Sequence, residues 1–166
     1  MRWMWIDRIV EHEPGVRLVA VKNVSLAEEH LHDHFPGNPI MPAALIIEGV
    51  AQTSGIMVGA INNFEEKVLL AKVSKVELDR DARPGDTLRY TATLDRIDDA
   101  GASTMAQVHL RSNEDGDDWQ LIGEVNLLFS HADQNMSGLD LPEENFVFGD
   151  NFREILSASG LRPETV

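Results

Sequence analysis

Between Pro42 and Asn62 the chain runs almost unbroken through small and apolar side chains, interrupted near its start by a carboxylate, Glu48, and one helical turn later by an amide, Gln52. A proline suits the first helical position, where its missing N–H costs nothing, and the length of the run fits one long helix. That length approaches a membrane span. Glu48, Gln52, Thr53 and Ser54 sit in its interior, however, and Gly49, Gly55 and Gly59 lower its intrinsic stability. The expectation is therefore the buried helix of a water-soluble domain, not a membrane anchor. A helix apolar on nearly every face must be surrounded, and a strongly curved antiparallel sheet can wrap it.

The rest of the chain supplies such a sheet. Arg17–Ser25 is rich in β-branched residues and follows a Pro14-Gly15 turn; Val68–Asp79, Thr87–Ile97, Ser103–Ser112 and Trp119–Ser130 follow the helix. They are separated by Arg83-Pro84-Gly85-Asp86, Asp98-Asp99-Ala100-Gly101 and the acidic turn Glu114–Asp118, which favours antiparallel hairpins. The acidic turn lacks the spaced ligands and terminal glutamate of an EF-hand, so a hairpin is expected there and calcium is not. The 166 residues, without repeats or linkers, fit one α+β domain over 1–130 and an acidic extension over 131–166. Within that extension a short helix is expected at Asn151–Ser159, with Phe152, Ile155 and Leu156 on one face and Gly160 as its stop.

Composition removes several functions. With no cysteine, disulfides, thiolate nucleophiles and cysteine zinc sites are excluded, and no oxidising compartment is implied. No basic segment leads into an apolar one at the N-terminus, so a cytoplasmic protein is expected. A net charge of −14 argues against a nucleic-acid surface, which needs clustered Lys and Arg. Half of the basic residues fall in 67–96, most simply on solvated strand faces; the sharper reading makes Lys72, Lys75, Arg80, Arg83 and Arg89 candidates for docking an acidic partner.

The chemistry concentrates in His34-Phe35-Pro36-Gly37-Asn38-Pro39-Ile40-Met41-Pro42, just ahead of the helix. Three prolines at three-residue spacing stiffen this linker, which can then present His34 at a set place. Glu48 lies on an apolar helix where an ionised carboxylate is costly, and desolvation suits a carboxyl to general-acid work beside a histidine base. Hydrogen bonding of Glu48 and Gln52 to loop backbone is the structural alternative. His30, His32 and His34 alternate as metal ligands on a strand could, but a polar loop is the simpler reading. Trp3 and Trp5 are expected mainly in the core, and Met41, Met57 and Met105 in the core or lining a tunnel.

His34-Phe35-Pro36-Gly37-x-Pro39-x-x-Pro42, followed by Leu45-Ile46-x-Glu48-x-x-Ala51-Gln52, closely resembles the signature of the β-hydroxyacyl-acyl carrier protein dehydratases of fatty-acid synthesis. Ile6–Val10, Ala20–Ser25 and the Pro84-Gly85-Asp86 turn are similar to flanking segments of that family. The resemblance implies a hot-dog fold, a long central helix wrapped by a curved antiparallel sheet. It also implies removal of water from (3R)-3-hydroxyacyl thioesters, carried on acyl carrier protein or coenzyme A, to give trans-2-enoyl products. His34 and Glu48 would be the acid/base pair, a backbone N–H near Ala43 would hold the thioester oxygen, and Phe35, Gly37 and Gln52 would help bind substrate. No metal or other cofactor is implied. In the family the two catalytic side chains come from different protomers, so a homodimer, or a trimer of dimers, is expected. Asp33 and Ala43 stand where the family usually has glycine, and Leu70-Ala71-Lys72 where it commonly has Phe-Ala-Gly. A thioesterase and a non-catalytic acyl-carrier-binding protein are the alternatives on the same fold.

Overall fold

The computed structural model describes residues 3–112, 114, 116, 118–132 and 145–161. Six strands, β1 (Arg8–Glu13), β2 (Arg17–Asn23), β3 (Val68–Leu78), β4 (Thr87–Asp98), β5 (Gly101–Arg111) and β6 (Gln120–His131), form one sheet in the order β1-β2-β4-β5-β6-β3. Every pairing is antiparallel. Between β2 and β3 the chain leaves the sheet for a short turn of helix, α1 (His30–Asp33), and the long helix α2 (Ala43–Ile61). The sheet curls around α2, whose residues from Gly49 to Gly59 are all buried. This is the hot-dog fold.

Most strand and helix positions follow the sequence patterns, but two elements do not. β1 was not among the strands expected from alternation: its sequence Arg-Ile-Val-Glu-His-Glu is largely exposed, and a bulge between Ile9 and Glu11 breaks the period of two. His30–Asp33, expected as loop, is helical, with Leu31 buried as its single anchor. Met41 and Met57 are buried as expected, whereas Met105 is exposed on β5. Two residues of the acidic turn, 115 and 117, lie outside the described residues, but the hairpin it joins, β5 to β6, is formed.

The glycines of α2 that weaken it as an isolated helix have a packing reason. A Cβ at Gly49 would lie 2.6 Å from the Tyr90 ring of β4, and one at Gly59 would lie 2.6 Å from the Phe148 ring. Large rings therefore rest directly on helix backbone, and the sheet closes tightly around it. Tyr90 is fully buried there, and burial drives its hydroxyl pKa upward.

The described part of the tail, residues 145–161, docks on its own domain. Helix α3 (Asp150–Ala158) lies at the position expected from its apolar spacing, and Gly160 follows it with φ +76° as a left-handed stop. Leu156 is fully buried, Phe148 nearly so, and the Ile9 backbone N–H donates to Ser159 Oγ at 3.3 Å. Both apolar residues belong to the main core.

Candidate active site

His34 caps the C-terminal end of α1, and its loop is closed by short-range bonds. Phe35 N–H donates to Asn38 O at 3.1 Å, Asn38 N–H to Phe35 O at 2.9 Å and Ile40 N–H to His34 O at 2.9 Å. Pro36 and Gly37 occupy the two central positions of the tight turn, and Gly37 has φ +75°, the conformation that a glycine there permits. The His34–Phe35 peptide is cis. Asp33 continues the α1 helical turn, an ordinary conformation for a residue with a side chain, so glycine is not required there.

The imidazole of His34 is oriented twice over. Nδ1 lies 2.9 Å from Ile40 O, and the ring stacks on Phe35 with centroids 4.0 Å apart. A carbonyl can only accept, so Nδ1 carries a proton, and in the neutral ring the lone pair is then at Nε2. His30 and His32 have partners of their own. The His30 ring packs edge-on against Trp5, while His32 Nε2 lies 3.2 Å from Leu26 O. Helical geometry has turned His32 away from the two side chains that a strand would have aligned with it, while His30 stays near enough to His34 to feel its charge. Among the described residues, no cluster of three or more His, Asp or Glu is placed to hold a metal ion.

Glu48 is half-buried on α2 and tied to the N-terminal segment. Its Oε1 accepts from Gln52 Nε2 at 2.9 Å and from Trp3 Nε1 at 3.2 Å. Gln52 is itself fully engaged: Nε2 also donates to Trp3 O at 3.1 Å, and Oε1 accepts from Trp5 N–H at 2.9 Å. It is a strut that sets the glutamate, with its amide spent inside the chain. Trp3, expected in the core, is 58% exposed and reaches the carboxylate by its indole N–H. Nothing in the Trp-x-Trp pattern alone announces that contact.

At the start of α2, Pro42 is the N-cap and offers no side-chain acceptor. The first N–H groups of a helix have no partner within it, so those of Ala43 and Ala44, both exposed, remain free to donate. The methyl group of Ala43 leaves that N–H in place. Beside Glu48 a cavity of about 220 Å³ runs past Ala51 and Gly55 between α2, Leu69 of β3 and Phe129 of β6. Within this chain no hydrogen bond or ion pair joins His34 to Glu48 among the described residues.

The basic stretch is less uniform than its sequence. Lys75 is neutralised between Glu77 at 2.9 Å and Glu124 at 3.0 Å, and these partners raise its pKa. Arg80 donates to Gln120 at 2.7 Å, and Arg89 and Arg111 flank the ring of Trp119. Arg80 and Arg83 share a surface cavity with Asp79, Asp81, Asp86 and Glu114. Arg83 is exposed and donates to Asn38 Oδ1 at 2.6 Å, which places a cation against the His34 loop.

Comparison with known proteins agrees with this geometry. The FabA-like domain family matches residues 2–118. The 3-hydroxyacyl-[acyl-carrier-protein] dehydratase FabZ of Oenococcus oeni is 38% identical over 69% of this chain and 80% of its own length. The protein of the same name from Chloroflexus aggregans is 39% identical over 79% of this chain and 87% of its own length. Among solved structures, a thioesterase family protein from Silicibacter pomeroyi superposes with a TM-score of 0.60 at 15% identity, covering 74% of this chain and 82% of that one. The dehydratase heterocomplex ApeI:P from Xenorhabdus doucetiae gives 0.55 at 13%, covering 72% and 92%. Those two likenesses speak to the fold, whereas the family match and the sequence identities show that this chain belongs to the β-hydroxyacyl-acyl carrier protein dehydratases, a family of hydro-lyases.

Proposed function

We propose that this chain dehydrates (3R)-3-hydroxyacyl thioesters to trans-2-enoyl thioesters in cytoplasmic fatty-acid synthesis, on substrates presented by acyl carrier protein or coenzyme A. The observation that carries the reading is the 2.9 Å contact of His34 Nδ1 to Ile40 O, which in the neutral imidazole leaves the lone pair at Nε2. Nε2 takes the α-proton of the thioester, and the free N–H at Ala43 receives the oxygen on which charge develops. Glu48 delivers a proton to the departing 3-hydroxyl, which leaves as water. Phe35 holds the imidazole plane, Gly37 turns the loop, and Gln52 holds the carboxyl.

The site is shared between two copies. His34 and Glu48 are unconnected within one chain, and β3 ends the sheet with one edge unpaired among the described residues. That strand exposes Leu70, Val73 and Val76 at 43%, 40% and 39%. An unpaired apolar edge is a template for a second strand, and pairing β3 with β3 across a two-fold axis supports a homodimer. An acidic carrier would meet Arg83 beside the catalytic loop.

The test is purified protein with a 3-hydroxyacyl thioester, followed by enoyl absorbance and product analysis. Appearance of the 2-enoyl thioester supports the reading. Release of free acid would identify a thioesterase, and binding without conversion would identify a non-catalytic acyl-carrier protein partner.

A further inference from the structure

The geometry points to a wall, built by Val147, Phe148 and Phe152 of the C-terminal segment, that limits the acyl-chain length the site accepts; this rests on the thioester reading above. These three side chains line the same cavity that Glu48, Ala51 and Gly55 line. Glu48 and Gly55 are seven residues apart on one face of α2, and Gly59, where the Phe148 ring rests, is about 16 Å from Glu48 along the helix axis. An acyl tail leaving the carbon that Glu48 serves runs along the small residues Ala51 and Gly55 and meets the aromatic rings. The space, about 220 Å³, is below the roughly 300 Å³ at which pockets for drug-sized ligands begin. Short acyl chains fit it.

The wall is held in place from both sides. Asn145 Nδ2 donates to Phe64 O at 2.9 Å and Glu66 O at 3.0 Å, while its Oδ1 accepts from Val147 N–H at 3.1 Å and Phe148 N–H at 3.4 Å. One saturated side chain thus pins the segment to the connection after α2. Phe148 packs edge-on against Phe64 at 5.0 Å and Phe152 at 5.9 Å, and the buried Leu156 secures the helix beyond.

Full-length parent, Phe148→Ala, Phe152→Ala and Gly55→Ala are assayed on 3-hydroxyacyl thioesters of increasing chain length. The parent should lose kcat/KM beyond a short limit. Both phenylalanine variants should raise the ratio of long-chain to short-chain kcat/KM by about fourfold for each further methylene admitted. Gly55→Ala should lower that ratio, since its methyl would enter the cavity at 3.6 Å from Phe129 while favouring the helix. A parent indifferent to length, or variants that change all lengths by one factor, would overturn the wall. Titration with saturated acyl thioesters separates the two readings. If no dehydration occurs but the binding limit shifts in the variants, the dehydratase reading fails and the wall stands; if nothing binds and nothing is converted, both fail.

Discussion

His34 is held by bonds that span six residues or fewer, closing on Asn38 and Ile40, whereas Glu48 answers to Trp3 and, through Gln52, to Trp5, between 45 and 49 positions away. The first arrangement is nearly self-sufficient: prolines, one glycine and four or five local contacts make a rigid loop. The second exists only once the N-terminal segment has crossed the end of α2. A base needs a fixed direction for its lone pair, which local geometry can provide. A carboxyl on a buried helix needs partners for its oxygens, and a helix can offer few of its own.

The largest expected effect breaks the pair itself. His34→Ala and Glu48→Gln should each lower dehydration by about 10²–10⁴ with the fold intact, because each removes a proton-transfer group. Mixed and refolded together, the two inactive variants should regain activity, since a shared-site heterodimer has one site carrying both lesions and one carrying neither. Persistent inactivity with subunit exchange verified would place both groups in one chain.

Next comes the packing that carries the long-range arm. Gly49→Ala should cost about 1–3 kcal/mol in unfolding free energy, because its Cβ would lie 2.6 Å from the Tyr90 ring in a tight core. The same change at Gly37 meets no atom within 4 Å but occupies φ +75°, so its cost is conformational and should be about 1 kcal/mol. Denaturant titration of the two variants compares the arms directly. An equal loss would mean that the helix is no more tightly seated than the loop.

Gln52→Met sharpens the comparison at the site. It keeps the volume but leaves Trp5 N–H and one side of Glu48 without partners, and about 1–3 kcal/mol should be lost. If the strut positions the acid, kcat falls and the pH profile of kcat shifts while KM stays near the parent value. A fall in stability alone would assign Gln52 to the fold.

The smallest effect concerns histidines outside the pair. Burial holds His12, His30 and His109 below the ordinary value of about 6.5. The unfolded chain then binds protons more readily than the folded one. Their contribution to stability is present above about pH 6.5 and is lost as pH falls through that value towards the folded pKa values. Tm should therefore decline on acidification, and His30→Phe should flatten the decline slightly; an unchanged slope would remove His30 from the account.

Legibility followed the same division. The helix, five strands and the loop at His34 could be read because each is announced by spacing within a dozen residues. β1 was hidden by its bulge and exposure, and α1 by its brevity. The candidate acid was visible as a charge out of place, but its tether to Trp3 was not, because no local period links residues so far apart. The basic stretch misled in one respect. Charge counted along a chain does not reveal that Glu124, from another strand, lies against Lys75.

The bare backbone at Gly49 and Gly59 also works as a pair of notches. The rings of Tyr90 and Phe148 rest where a side chain is missing, and a slide of α2 by one turn in either direction would bring Leu45 or Thr53 to the Tyr90 seat. A side chain at the Tyr90 seat would clash with the ring, so the packing favours one position of the helix along its axis. Glu48 adjoins the first notch in sequence. The placement of Glu48 is thus indexed by an aromatic ring on the surrounding sheet, and the seat that guards the helix against slippage also fixes the height of its carboxyl along the helix axis.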